Sequence, residues 1–305
     1  MNINESLKTF LVRCNAMNLQ VKTIMNYKQR LGDFEKFLLE HNIDDVLLVT
    51  ADTVREYLGS MNGRVKKITV LSYYLALSSF FNYLTEQEII PKNPMDKVKK
   101  PRVGKRIIRA FTPKEIHLLL SAFDKNTFLG FRNYTIMSVF FSTGIRKAEL
   151  MQLTCLDILF EIDMINVIGK GDKQRHIPLS PVLRKILLKY IKKRKEYIDE
   201  SSHANCRYLF INKSCRPMTE STVNIIFANL KKEFQMQGAR ISAHTWRHTF
   251  AKTFLLNGGD LITLQKILGH SDVSTTKQYI NLNDSDIKVQ NEKFNPLDNT
   301  RWQYY

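Results

Sequence analysis

No run in the 305-residue chain approaches the roughly 20 apolar residues that a membrane-spanning helix needs, so no span is expected. The opening MNINESLKTFLVRC lacks a basic stretch followed by an apolar one, which argues against a secretion signal and for a cytoplasmic protein. Cysteine is scarce. Cys14, Cys155, Cys206 and Cys215 form no CxxC pair, and intracellular free thiols are the expectation. Acidic residues are also short, 29 Asp and Glu against 46 Lys and Arg, for a net charge of +17. The imbalance is uneven: 14 basic and 11 acidic residues in the first hundred, then 32 and 18 in the remainder. A polyanionic partner is expected, nucleic acid ahead of an anionic membrane because no amphipathic anchor stands out.

The length suits two domains. Residues 1–91 read as a small helical unit. Ile24, Tyr27, Leu31, Phe34, Phe37 and Leu38 form one apolar stripe at helical spacing. Val54, Tyr57, Leu58 and Met61 form a second, and Leu71, Tyr74, Leu75, Phe81 and Leu84 a third. Residues 92–111 are a basic linker. KNPMDKVKKPRVGKRIIR holds two prolines, a glycine and eight Lys/Arg beside a single acid, a composition that suits either a solvated tether or a track along a phosphate backbone. Thr112-Pro113-Lys114-Glu115 is a capping box with proline at the first helical position, so a second domain starts near residue 112 and is expected to run to 281. Its apolar helix through TIMSVFFS precedes DMINVIGKGDKQRHIPLS, two β-type runs around a Gly-rich turn that predict a hairpin. Ser180-Pro181 opens a helix with Val182, Leu183, Ile186, Leu187, Tyr190 and Ile191 facing inward. Further helices are expected over 220–235 and 243–256, and one from Asp260 to Leu268-Gly269. The fold class is therefore mainly α with a small β-hairpin in the second domain.

In AHTWRHTF, residues 243–250, helical spacing places His244 near both Arg247 and His248. The two histidines have the separation of a zinc pair, but Thr245 stands where a zinc-protease helix carries its glutamate, and a cation beside them disfavours a metal. A packed histidine with a surface arginine is one reading. An anion site is the other, because guanidinium offers a planar fork matching phosphate oxygens. Trp246 and Phe250 would anchor this helix in the core. In STGIRKAEL, Gly144 ends one helix and Arg146 enters the first turn of the next, near free backbone N–H groups, with Glu149 three residues on to orient or neutralise it. Lys170 sits between two glycines in the hairpin turn, although the full Gly-x4-Gly-Lys-Ser/Thr phosphate loop is absent. In ILGHSDVSTTKQYI, His270 follows a helix-ending glycine, and Tyr279 is either a core residue or a nucleophile whose phenolate needs nearby cations, its ordinary pKa being about 10.

Taken in order, Arg146 in TGIRKAEL, Lys170 in GKGDKQRHIP, His244 and Arg247 in HTWRH, His270 in LGH and Tyr279 in TTKQY resemble the signature of the tyrosine recombinases, also called phage integrases. The layout is most similar to the compact Xer-type members. The resemblance implies a helical, SAM-like core-binding domain and a mixed α/β catalytic domain that together clamp duplex DNA. It implies that Tyr279 attacks a DNA phosphodiester to form a 3′-phosphotyrosyl link, that Arg146, Arg247, His244 and His270 hold the phosphate, and that Lys170 protonates the departing 5′-oxygen. Only the match to the GKG pattern favours Lys170 over Lys173. His248 has no counterpart and is taken as structural. No metal or other cofactor is implied.

Phosphate-backbone candidates are Lys97, Lys99, Lys100, Arg102, Lys105 and Arg106 in the linker, and Lys173 and Arg175 in the hairpin. A homotetramer on two duplexes is implied, with accessory DNA-bending or directionality proteins as further partners. Residues 282–305 read as a tail that docks either on a neighbouring subunit, as the resemblance implies, or on its own domain. No arm-binding domain is expected ahead of residue 5. The competing readings are a silent DNA-binding regulator and a topoisomerase of the type that makes the same attack but only relaxes supercoils.

Overall fold

Ile3, Leu7, Phe10 and Cys14 repeat at the spacing of one helical face, and they are the buried face of α1 (Ile3–Ala16). The structure, a computed structural model, describes residues 1–104, 108–169, 173–200, 206–236, 238–269 and 291. The chain divides into two units, Met1–Arg106 and Ile107–Tyr305. In the first, α1 packs with α2 (Val21–Glu40), α3 (Ala51–Ser60) and α4 (Lys67–Glu86) around the fully buried rings of Phe34, Phe80 and Phe81. Thr50 starts α3 through a reciprocal capping box with Thr53, which satisfies two otherwise unpaired N–H groups.

The stripes predicted for α2 and α3 lie on this core. The third differs in part, because Leu75 is half exposed while Val70, Leu77, Phe80, Phe81 and Leu84 point inward. The buried face of α4 is thus rotated from the one expected and broader, since the helix packs against α1, α2, α3 and the turn at Pro94–Lys97. The start of the basic segment belongs to this unit too. Asn93 caps a 3-10 turn over Pro94–Lys97, and Met95 and Val98 enter the core. Lys97, Lys99, Lys100 and Arg102 remain exposed.

In the second unit, α5 (Pro113–Ser121) begins with the expected Thr112–Glu115 box. Next come α6 (Phe128–Thr143), α7 (Lys147–Gln152), α8 (Pro181–Glu200), α9 (Glu220–Glu233), α10 (Ala243–Leu256) and α11 (Leu261–Leu268). The hairpin forms as β2 (Met164–Ile168) and β3 (Gln174–Pro178), antiparallel with Ile165 opposite Ile177 and Val167 opposite Arg175. A two-residue strand that the sequence did not signal, β1 (Ile158–Leu159), pairs on the other side of β2. The core centres on Trp246, Phe140 and Tyr190, all essentially inaccessible. On α8, Leu183, Leu187 and Tyr190 face inward as expected, but Val182 is exposed, because it lies about 100° round the helix from Leu183, off the buried side. All four cysteines are free thiols. No helix among the described residues is long and apolar enough to cross a membrane.

Candidate active site

Gly144 ends α6 with φ +61°, a left-handed conformation that favours glycine. The reversal delivers Arg146 to the N-cap of α7, one position ahead of the predicted first turn. Glu149 then closes the cap. Its carboxylate accepts from the Arg146 backbone N–H (2.9 Å) and from Nη1 of the same residue (2.8 Å). Arg146 Nη2 donates to the Gly269 carbonyl at 3.3 Å. With 43% of its side chain accessible, Arg146 is held along one edge and open along the rest, while Glu149 is only 6% accessible.

Helix α10 starts at Ser242, whose hydroxyl accepts from the Thr245 N–H. Trp246 and Phe250 fix the helix in the core as expected, and the Trp246 ring meets Phe111 edge-on at 5.0 Å. Arg247 is buried rather than at the surface. It donates through Nη1 to the Gly144 carbonyl (2.7 Å) and through Nη2 to the Leu268 carbonyl (2.8 Å). His244, one turn earlier, keeps its ring accessible. Crowding by its neighbours, then the Arg247 charge, holds its pKa below the ordinary histidine value, so the ring is neutral at pH 7 and able to take a proton.

His248 is buried and carries a backbone hydrogen bond with Ile108, a structural setting as expected. Burial first, then His244 and Lys252, lower its pKa to about 4. Among the described residues no group of three or more metal-type side chains forms around this pair. The shift predicts acid sensitivity. A histidine with a folded pKa below its unfolded 6.5 binds fewer protons folded than unfolded, so stability declines as pH falls from 6.5 toward 4, by about 3 kcal/mol in all. Urea midpoints across this window should fall less steeply for His248→Gln than for the native protein.

Glu149 has a second partner. Arg175 on β3 reaches it through both terminal nitrogens, at 3.0 and 2.8 Å, and donates Nε to the Ile267 carbonyl at 2.9 Å. Burial alone would raise the Glu149 pKa, but the bonds and charge of Arg175, together with the bonds from Arg146, outweigh it and bring the value to about 2. Arg175 therefore departs from the backbone-contact expectation. Its side chain is 12% accessible, with the guanidinium engaged inside the unit, whereas Lys173 is exposed at the hairpin turn. The signal was present in the strand, because Arg175 shares a face with the core residue Ile177 two positions on.

Three guanidinium groups thus meet three successive carbonyls at the end of α11: Arg175 on Ile267, Arg247 on Leu268 and Arg146 on Gly269. These are the acceptors a helix C-terminus leaves unpaired, at its negative dipole end. Of the six predicted catalytic residues, Arg146, His244 and Arg247 are described, and the two arginines converge here. Lys170, His270 and Tyr279 lie outside the described residues, as do the backbone candidates Lys105 and Arg106 and nearly all of the 282–305 tail.

The family model described as "Phage integrase family" matches residues 109–286. The chain belongs to the phage integrase family of tyrosine recombinases. A second model, the N-terminal SAM-like domain of phage integrases, matches residues 15–89, within the first unit. Tyrosine recombinase XerC of Bacillus licheniformis is 32% identical over 263 residues, 86% of each chain. XerC of Lacticaseibacillus casei is 30% identical, over 91% of this chain and 94% of the relative. The chain is accordingly a site-specific recombinase of the tyrosine class. Its fold is also that of XerH bound to a palindromic difH substrate (TM-score 0.74, 20% identity, 91% of this chain and 81% of that one). A lambda integrase dimer bound to a core site matches at TM-score 0.74 and 17% identity, over 90% and 97%.

Proposed function

We propose that this recombinase cleaves and rejoins double-stranded DNA at specific sites through a 3′-phosphotyrosyl intermediate on Tyr279. The observation that carries the proposal is the convergence of Arg146 and Arg247 on the end of α11, one residue before His270. Two guanidinium forks and two histidines suit a phosphate whose non-bridging oxygens gain charge in a pentacoordinate transition state. The Tyr279 oxygen attacks phosphorus, and its proton passes to neutral His244. The bond to the 5′-oxygen breaks, and that oxygen takes a proton from Lys170. The phosphotyrosyl link keeps the energy of the broken bond, so a 5′-hydroxyl from another strand reverses the step without ATP. The partners are recombination sites in duplex DNA and further copies of the chain in a tetramer on two duplexes, with the 282–305 segment docking between subunits. Accessory DNA-bending or directionality proteins would act on this assembly in the cytoplasm.

Trapping tests the reading. DNA recovered from cells as a covalent adduct would supply the site, and a duplex of that sequence nicked near the cleavage point would serve as a suicide substrate. The native protein should accumulate an adduct that disappears in Tyr279→Phe. A native protein that binds the site and forms none would overturn the proposal. Lys97, Lys99, Lys100, Arg102 and Lys173, exposed in the structure, are the backbone contacts we assign. Affinity should then fall steeply with salt, and each Lys→Ala change among them should flatten the log–log salt dependence by about one counterion. Salt-insensitive binding would contradict these assignments.

A further inference from the structure

Arg175 is a cation of the second unit that the catalytic scheme leaves without a role, and its bonds are unlike those of a DNA contact. Three of them tie together pieces of chain far apart in sequence. Two run from β3 to Glu149 on α7, and one runs to the carbonyl end of α11. We propose that Arg175 is a positioning residue for strand cleavage. It fastens the hairpin whose turn includes Lys170 to the segment bearing Arg146 and to the helix end that precedes His270. This rests on the phosphotyrosyl reading above.

The charge balance gives Arg175 a second task. Glu149 is one carboxylate between two guanidinium groups, and Arg175 holds it by both oxygens, at 3.0 Å to Oε1 and 2.8 Å to Oε2. Arg146 shares Oε1 at 2.8 Å through a single side-chain nitrogen. With Arg175 present, the carboxylate is already neutralised, and Arg146 keeps a free edge and most of its charge for a phosphate. Without Arg175, Glu149 would have only Arg146 to pair with. The fork would be drawn into a two-point clamp, turned away from the substrate and neutralised. Lysine cannot substitute fully, because one ammonium cannot span both carboxylate oxygens and the Ile267 carbonyl. The packing is close as well, since a Cβ on Gly269 would lie 2.8 Å from Arg175 Cδ.

The test separates positioning from DNA contact. On the nicked suicide duplex at saturating protein, Arg175→Gln should form adduct about 100-fold more slowly than native, the scale of an ångström misplacement of catalytic groups. Its DNA affinity and salt dependence should stay within about twofold of native. Arg175→Lys should fall between the two. The double variant Arg175→Gln/Glu149→Gln should recover part of the loss, because removing the stranded carboxylate frees Arg146, a rescue that a merely structural role would not produce.

A flattened salt dependence with a native cleavage rate at saturation would overturn the proposal and return Arg175 to the DNA backbone. So would equal loss in the single and double variants. If Arg175→Gln does not fold, the same split between rate and affinity is read on Arg175→Lys. Failure of the native protein to form adduct would instead count against the phosphotyrosyl reading, which keeps the two failures apart.

Discussion

Replacing Arg247 with alanine should slow adduct formation about 1,000-fold and also lower the stability of the catalytic unit. The first effect follows from losing one charged fork from a site where the transition state carries its charge on phosphate oxygens. Removing a single preorganised donor of this kind costs on the order of 100- to 1,000-fold. The second follows from what Arg247 does without DNA. It is buried and donates to the Gly144 and Leu268 carbonyls, so its loss strands two acceptors in the interior, at about 1–3 kcal/mol each. Arg247→Lys keeps the charge but cannot reach both carbonyls, so it should lose most of the rate. The checks are single-turnover cleavage of the suicide duplex and a urea titration. A variant that cleaves at the native rate would remove Arg247 from the phosphate site.

Gly144→Ala should cost a comparable amount of stability by a different route. The residue sits at φ +61°, and a Cβ there would lie 2.4 Å from Phe250 Cδ1 and 2.8 Å from Leu268 Cδ2. Left-handed strain costs about 1–2 kcal/mol and overpacking a buried contact a further 1–3 kcal/mol. About 3 kcal/mol in total corresponds to roughly 10 °C in Tm for a unit of this size. The same residue supplies the carbonyl that holds Arg247 and lies two positions before Arg146. Relief of the clash would therefore displace both arginines, and cleavage should drop at least tenfold at temperatures where the variant is still folded. Thermal melts paired with cleavage below the transition would check this. A variant with native melting and native rate would show that Phe250 and Leu268 yield at no cost.

Much of the scaffold was legible because local chemistry and tertiary contact agree. The Thr112–Glu115 box, the Gly144 and Gly269 stops and the β2–β3 alternation each depend on a few neighbouring residues, and each appears where expected. Leu75 and Val182 were misplaced for the complementary reason. Periodicity gives an apolar face, but which side of a helix is covered depends on what packs against it, and both residues face solvent. Glu149 could be flagged by its spacing from Arg146. That it also serves Arg175, 26 residues away on β3, could not. Strand alternation could have placed Arg175 inward, but a basic hairpin in a basic chain reads first as a backbone contact.

The one-dimensional order of residues determined that this chain has a helical unit, a basic segment and a second unit with a hairpin. It also determined which side chains have the chemistry for a phosphate, because helical spacing, caps and motif order are local properties. Tertiary structure alone decided which arginines meet at the end of α11, and which of them is open to a ligand and which is locked to Glu149. The reason is physical: every helix end leaves carbonyls unpaired, and which guanidinium lies within reach of which of them is set only when the helices and the hairpin pack together.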